Sequence, residues 1–221
     1  AVASLPHLTL HGLHVYDGNV HHRNPHAARR YSEALMQKID DTVAALSPKH
    51  TVHEVVTSSS LTMQGNVEAH RAGSYRWRHT VSPGTAVLWD SSYNDIMPGA
   101  FAYAAAVATR ILDSHPHRAG HLLTTDCGVK LGVSAEFGPV HVLGFRGYAA
   151  FGKSERFGML EWLGFDRATG EPVANDLLSM VGRVVLVFPR HVCTTVNQYA
   201  FGLLVRDGAV AETIQIDARD G

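Results

Sequence analysis

The residues best suited to chemistry are a histidine and a cysteine two positions apart, His191 and Cys193. They follow a hydrophobic run, residues 184–187, that predicts a buried strand. If the chain stays extended after that strand, the two side chains project from one face. An imidazole nitrogen and a thiolate together chelate a borderline-soft metal, with zinc the first choice. The alternative is a surface histidine beside a half-buried core cysteine, because this spacing arises easily by chance.

Small hydroxyl side chains collect at the ends of two segments that the hydrophobic pattern predicts as strands. In parallel α/β architecture the carboxyl ends of the strands build the site, and hydroxyls with backbone N–H groups suit a phosphate. The alternative is a pair of solvated loops rich in turn-forming residues. The candidate residues are Thr57, Ser58 and Ser59 after one strand and Ser91, Ser92 and Tyr93 after the other.

A third polar cluster follows the first predicted strand. It brings a phenol, an amide and two imidazoles to the strand end, where an α/β fold places its site. A single histidine in such a turn is more often a surface residue than a ligand. The members of the cluster are Tyr16, Asn19, His21 and His22.

Strands and a helix alternate in the part of the sequence that carries these clusters. Asn24 and Pro25 are typical of an N-cap followed by a first-turn proline, and apolar residues at helical spacing predict a helix that ends at Ser47. This order favours an α/β barrel or a doubly wound sheet. Strands are predicted at residues 8–18, 53–60 and 85–92.

The character of the sequence changes after Pro98 and Gly99. Short β-leaning segments separated by Gly and Pro predict an all-β second domain, although the Ala-rich residues 100–109 also fit a helix. We therefore predict two domains, residues 1–98 and residues 99–221. The β-leaning segments are residues 100–112, 119–126, 139–145 and 181–188.

Composition excludes several classes of function. Nineteen Lys and Arg balance 20 Asp and Glu for a net charge of −1, so the chain lacks the basic footprint of a protein that binds nucleic acid or an anionic membrane. No apolar run reaches the roughly 18 residues of a membrane span, and the first ten residues do not resemble a signal peptide. Two distant cysteines favour a reducing, cytoplasmic compartment over a disulfide framework.

Together these segments resemble the D-serine dehydratase and D-threonine aldolase-like family. Its members are fold-type III pyridoxal-phosphate (PLP) enzymes, with an alanine-racemase-like barrel and a C-terminal β-domain. PRHVCTTVNQY followed by LLVRDGAV is similar to the metal-binding segment, TTDCGVKLGVSAEFG to the DAGLK-type strand and GKSERFGMLEW to the SEEHG-type loop. GLHVYDGNVHH, VVTSSSLT and SPGTAVLWDSSY are similar to the last barrel strands, so the resemblance covers essentially the whole chain.

The resemblance implies an α/β plus all-β fold, the C-terminal part of a (β/α)8 PLP-binding barrel followed by a β-domain. His191 and Cys193 fall on the zinc ligands, where a cysteine is more like the dehydratases and an aspartate is typical of the aldolases. Residues 57–59 fall on the phosphate loop, which is serine-rich where the family is glycine-rich, and residues 91–93 fall at the next strand end. The remaining cofactor residues, around the pyridine ring, are Tyr16, Asn19 and His21 or His22.

The lysine that carries the cofactor is the main departure from the family pattern. In the family this lysine lies at the end of the first barrel strand. A complete barrel takes about 250 residues, whereas only about 98 residues of this chain precede the predicted β-domain. The chain's own lysines, at positions 38, 49, 130 and 153, do not fit that role. The resemblance therefore implies the C-terminal portion of a larger enzyme, completed by an N-terminal polypeptide or segment, and a partial barrel is not expected to fold alone.

The resemblance thus implies a PLP- and zinc-dependent lyase acting on a β-hydroxy D-amino acid. Dehydration of D-serine or a 3-hydroxy relative is the first hypothesis, and cleavage of D-threonine or a similar substrate by an aldolase is the second. A non-catalytic metal-binding module is the third, favoured by the missing lysine. Resemblance to the family also suggests a homodimer.

Overall fold

The structure, a computed structural model, shows a chain divided into two compact units. One unit comprises residues 1–87 and 96–98, and the other comprises residues 88–95 and 99–221. Residues 88–95 therefore lie with the second unit. The structure describes residues 5–21, 23–57, 59–117, 120–128, 140–145, 147–166, 169–174 and 179–217.

A parallel sheet with helices is the framework of the first unit. Three strands pair in the order β1-β2-β3 within the described residues, and Val55 lies opposite Leu13 on one side and His79 on the other. No described strand covers the outer edge of β1 or of β3. The elements are β1 (Gly12–Val15), α1 (Pro25–Leu46), β2 (Glu54–Thr57), α2 (Met63–Ala72) and β3 (Arg78–Val81), followed by a 3-10 turn at Thr85–Val87.

Helix α1 begins and ends where the sequence predicts. The Asn24 side chain accepts hydrogen bonds from the backbone N–H groups of His26 and Ala27, which otherwise lack intrahelical partners. Apolar residues on one face of α1 pack against the sheet, because their helical spacing brings them to one side. The buried members of this core are Met36, Ile39, Val43, Val52, Val55 and Trp77.

The prediction of a strand at residues 85–92 is wrong. The third strand of the sheet is β3. It was not predicted because Arg78 and His79 make it polar, and strands were predicted from runs of apolar residues. Residues 85–87 form the 3-10 turn, and Trp89 has a φ of +57°, which no strand residue adopts. The chain then turns into a short helix, α3 (Ser91–Ile96).

An antiparallel sheet forms the core of the second unit. Six of its described strands pair in the order β6-β9-β4-β5-β8-β7, and β10 and β11 form a separate hairpin. Helix α4 (Val192–Val196) follows β9 directly. The strands are β4 (Val107–His117), β5 (Gly120–Thr125), β6 (His141–Val142), β7 (Tyr148–Lys153), β8 (Gly158–Trp162), β9 (Val184–Phe188), β10 (Phe201–Arg206) and β11 (Ala209–Gln215).

The core of the second unit supports the strand that leads to the candidate metal pair. Val185 and Val187 of β9 point into this core, while Val184 and Leu186 are exposed, so β9 is half-buried rather than fully buried. The buried residues packed with them include Val107, Ile111, Leu123, Val140 and Leu160.

No helix in the described part of the chain is long and apolar enough to cross a membrane. Neither of the two described cysteines forms a disulfide, and Cys127 is buried while Cys193 is exposed.

The β-domain core predicts a large effect at Leu123, which is fully buried. Leu123→Ala is expected to lower the free energy of unfolding by about 2–5 kcal/mol, because it removes buried methyl groups and leaves a cavity. Leu143→Ala is the matched control, since Leu143 is half exposed. Urea unfolding of the full protein measures both, and equal losses would show that Leu123 is not part of the cooperative core.

Candidate functional site

His191 and Cys193 lie where β9 passes into α4. Pro189 and Arg190 link the strand to His191, whose extended backbone precedes the first helical residue, Val192. Cys193 is therefore in a helix, and the extended continuation of β9 predicted from the sequence is wrong. The two side chains still meet, because His191 hydrogen-bonds to Cys193 across this turn.

The imidazole of His191 has a second partner, the carboxylate of Asp90. Its Nδ1 lies 3.3 Å from Asp90 Oδ2, and the imidazole is largely buried. The hydrogen bond to Asp90, followed by that to Cys193, raises the pKa of His191 to about 10. An acid, an imidazole and a thiol thus form one chain of contacts within the second unit.

Asp90 is fully buried and accepts hydrogen bonds at both carboxylate oxygens. Oδ1 accepts from the backbone N–H of Tyr93 at 2.9 Å and from the hydroxyl of Ser92 at 2.8 Å. Oδ2 accepts from the backbone N–H of Val192 at 3.2 Å. Burial alone would raise the pKa of Asp90, but these bonds and the one from His191 lower it below its ordinary value.

The structure places Ser91, Ser92 and Tyr93 beside this acid–imidazole pair, in the second unit. Ser91 is buried, and its hydroxyl donates to the carbonyl oxygen of Pro189 at 3.1 Å. The Tyr93 ring centroid is 6.5 Å from that of His191. These three residues therefore lie with the candidate metal ligands, in a different unit from residues 57–60.

A second polar network, which sequence reasoning missed, borders the same turn. Arg190 forms an ion pair with Asp95, and Asp95 Oδ1 lies 3.4 Å from Nε2 of His141. Nδ1 of His141 is 2.9 Å from the hydroxyl of Tyr103, whose ring stacks on Phe188 at the end of β9. Burial, followed by the negative charge of Asp95, raises the pKa of Tyr103 above its ordinary value. The network ties residue 190 to two neighbouring segments of the β-domain.

The serine-rich segment lies at the carboxyl end of β2, in the first unit. Thr57 is buried, and its hydroxyl is 2.9 Å from Nε2 of His79. Ser59 is buried, and its hydroxyl oxygen has no hydrogen-bond partner among the described residues. The Ser60 hydroxyl accepts from the backbone N–H of Ala86 at 2.9 Å. Ser58 lies outside the described residues.

The cluster after β1 is divided between exposed and buried side chains. Tyr16 is 69% exposed, and Asn19 and His21 are also exposed. Asp17, which sequence reasoning passed over, is buried and accepts a hydrogen bond from Nδ2 of Asn66 at 3.2 Å. His22 lies outside the described residues.

The donor groups on these two units fit the expected cofactors in part. A phosphate suits the first unit, because Ser59 offers an unsatisfied hydroxyl and Thr62 makes no side-chain cap at the start of α2. His191 offers a borderline imidazole nitrogen and Cys193 a soft thiolate sulfur, which suits zinc but fills only two of its four positions. The described residues contain no group of three or more His, Cys, Asp or Glu side chains placed to hold a metal.

One family model matches part of the chain. Residues 104–205 match the putative serine dehydratase domain family. No curated protein sequence matches the chain.

Solved structures share the fold of almost the whole chain. D-threonine aldolase from Filomicrobium marinum has a TM-score of 0.78 and 24% identity, over 99% of this chain and 55% of that one. D-threo-3-hydroxyaspartate dehydratase from Delftia sp. HT23 has a TM-score of 0.72 and 20% identity, over 94% of this chain and 56% of that one. An alanine-racemase-like protein from Idiomarina loihiensis has a TM-score of 0.63 and 16% identity, over 93% of this chain and 55% of that one.

These comparisons confirm the predicted resemblance and fold class, the C-terminal part of an alanine-racemase-like barrel followed by a β-domain. The chain spans a little over half the length of these structures. Two further similar structures are variants of a D-threo-3-hydroxyaspartate dehydratase, one with a histidine replaced by alanine and one, in the metal-free form, with a cysteine two positions away replaced by alanine.

The Asp95 network predicts a dependence of stability on pH. Burial favours a raised pKa, but hydrogen bonds from His141 and Arg190 and the charge of Arg190 lower the pKa of Asp95 to about 2. The unfolded value is about 3.9, so this carboxylate stabilises the fold above about pH 5 and the contribution disappears as the pH falls toward 2. Asp95→Asn is expected to cost about 2 kcal/mol at pH 7 and progressively less below pH 5.

Urea unfolding of the full protein between pH 7 and pH 3 measures this difference. Asp113→Asn is the matched control, because Asp113 pairs with His115 in an exposed ion pair and should change stability little at any pH. A cost for Asp95→Asn that stays constant from pH 7 to pH 3 would contradict the lowered pKa.

Proposed function

We propose that this chain, which carries the C-terminal part of a D-serine dehydratase- or D-threonine aldolase-like enzyme, belongs to a PLP-dependent lyase that acts on a β-hydroxy D-amino acid. The observation that carries the proposal is the contact between His191 and Cys193 in the part of the chain that matches the serine dehydratase domain. Because the chain spans little more than half of its structural relatives, the activity is proposed for the whole protein.

His191 and Cys193 are the proposed metal ligands. The order of the two residues matches the histidine and cysteine, two positions apart, that were replaced by alanine in a D-threo-3-hydroxyaspartate dehydratase. Neither side chain is sealed from solvent, so a ligand from outside the chain can complete the set. A divalent metal held there, zinc first, supplies a Lewis acid for the β-hydroxyl of the substrate.

Residues at the carboxyl ends of β1 and β2 are the proposed cofactor site. Ser59 brings a buried hydroxyl without a partner among the described residues, and the first N–H groups of α2 lack a side-chain cap. Both features suit a phosphate dianion. Tyr16, Asn19 and His21 are exposed at the end of β1, where they are free to contact the ring. PLP, when bound, supplies an electron sink for bond cleavage at Cα.

The lysine that holds the cofactor is proposed to come from the rest of the protein. Lys38 lies on the exposed face of α1, and Lys49 lies in the turn after that helix. Lys153 ends β7 in the second unit, and Lys130 lies outside the described residues. The polypeptide that completes the barrel would supply this lysine and cover the open edges of the parallel sheet. We also propose that the complete protein is a homodimer, because the family resemblance suggests one.

Dehydration is the first choice of reaction and aldol cleavage the second. The cysteine of the proposed metal ligands favours the dehydratase branch, whereas the structural similarity to D-threonine aldolase favours the other. Both reactions use the same substrate class and differ in the bond that breaks, Cβ–O in one and Cα–Cβ in the other. A non-catalytic metal-binding module remains the alternative from another class, and the proposed location of the lysine outside this chain favours it.

Analysis of the products of the full protein tests the proposed reaction. With PLP and zinc, D-serine or D-threo-3-hydroxyaspartate is expected to yield ammonia and a 2-oxo acid. The ammonia is measured enzymatically, and the 2-oxo acid as its hydrazone. Glycine and an aldehyde from D-threonine would reverse the order of the two reactions, and no turnover of any of the three would favour the binding module.

Replacing the thiol separates the metal from the cofactor. Cys193→Ser is expected to lose bound metal and most activity while keeping the cofactor, because the metal ligands and the serine-rich segment lie in different units. Metal is measured by mass spectrometry and the cofactor by its visible absorbance. Cys127→Ala is the matched control, since Cys127 is a buried thiol in the core of the β-domain. Unchanged turnover after metal loss would overturn the role given to the metal.

A further inference from the structure

We propose that Asp90 is a positioning residue that fixes the proton on Nδ1 of His191 and leaves Nε2 as the metal-binding nitrogen. The inference rests on the proposed metal role of His191 and adds a residue outside the two ligands. It is carried by the geometry of a buried carboxylate that faces one ring nitrogen, 3.3 Å from Nδ1.

When one nitrogen of an imidazole binds a metal, the ring keeps a single proton, which sits on the other nitrogen. A carboxylate accepts hydrogen bonds only, and the nitrogen that faces Asp90 must therefore be the one that keeps its proton. The other nitrogen then presents its lone pair. Carboxylate partners of this kind are common behind metal-bound histidines, where they set the orientation of the ring and the tautomer.

Asp90 is held in place by contacts that do not involve His191. Its Oδ1 accepts from the backbone N–H of Tyr93 and from the hydroxyl of Ser92, within the first turn of α3. Its Oδ2 accepts from the N–H of Val192, the residue after the histidine. The carboxylate therefore anchors the start of α4 as well as the ring, and it cannot rotate away without losing these bonds.

The backbone around Asp90 is held rigidly on both sides. Trp89 is fully buried with a φ of +57°, a conformation that is unfavourable for a bulky residue and that persists only when packing holds it. Its ring contacts those of Tyr93 and Phe101. On the other side, Ser91 N donates to the carbonyl oxygen of Pro189 at 3.0 Å. The two segments that carry Asp90 and His191 are thus joined directly.

Asparagine at position 90 would reverse the preferred position of the proton on the His191 ring. Its oxygen can satisfy Tyr93 and Ser92, which are the nearer donors. Its NH2 group would then face both Nδ1 of His191 and the backbone N–H of Val192, which would lose its acceptor. An NH2 group donates, so it would favour the proton on Nε2 and block the metal-binding lone pair. The side chain keeps almost the same shape, which separates this effect from a loss of packing.

The test is the metal affinity of the full protein carrying Asp90→Asn, measured by competition with a chromogenic zinc chelator. We expect affinity to fall about 10–100-fold, with PLP absorbance retained. Asp126→Asn is the matched control, because Asp126 also accepts two hydrogen bonds, from Thr109 and Arg110, but does not contact the His191 turn. Its zinc affinity should change by less than about threefold.

The outcomes separate this inference from the proposed function. If the unsubstituted protein binds zinc and Cys193→Ser abolishes binding, but Asp90→Asn binds as tightly as the unsubstituted protein, the role of Asp90 is overturned and the metal site stands. If the unsubstituted protein binds no zinc, both fail together. Asp90→Glu, which restores a carboxylate at a shifted position, is expected to bind zinc more tightly than Asp90→Asn.

A measurement on the unsubstituted protein covers the case in which Asp90→Asn does not fold. Long-range 1H–15N correlation spectra of the zinc-loaded, histidine-labelled protein distinguish the two tautomers, and His191→Gln identifies the resonance. Protonated Nδ1 with a metal-bound Nε2 is the expected result. Protonated Nε2 with a metal-bound Nδ1 would overturn the inference.

Discussion

The buried carboxylate of Asp90 is the contact on which the arrangement of the β-domain site depends. A charge removed from water must be met by donors, since an unpaired buried carboxylate would be strongly destabilising. Asp90 receives donors from the start of α3, the start of α4 and the imidazole of His191. Each helix begins with N–H groups that lack intrahelical partners, so one carboxylate satisfies two helix starts and orients the ring.

The segment that carries Asp90 explains why residues 88–95 lie with the β-domain. Trp89 is buried with a positive φ, which is unfavourable for a residue with a bulky side chain. Arg190 forms an ion pair with Asp95 and donates a hydrogen bond to the carbonyl oxygen of Ser91. The contacts join sequence positions about a hundred residues apart. Residues 88–95 are thereby held against the turn that carries His191, within the second unit.

Patterns carried by single elements could be predicted from the sequence, whereas contacts between distant segments could not. Asn24, Pro25 and the helical spacing that follows predict α1 because capping and amphipathicity are local properties. β3 was missed because its strand residues are polar, and 85–92 was misjudged because an apolar run does not reveal the positive φ of Trp89. The two ligand positions of the metal pair could be proposed from spacing. The roles of Asp90 and Asp95 could not, because a buried acid is recognised by its partners.

The division of the chain into two units has a consequence for how the chemistry is organised. The serine-rich end of β2 belongs to a parallel sheet with no described strand beyond β1 or β3, so its geometry depends on whatever completes that sheet. His191, Cys193 and Asp90 instead belong to one unit whose antiparallel sheet has its own core. The metal pair is therefore shaped by contacts within this chain. In the proposed lyase, cofactor binding would depend on assembly of the complete barrel, whereas metal binding would depend on contacts within the β-domain.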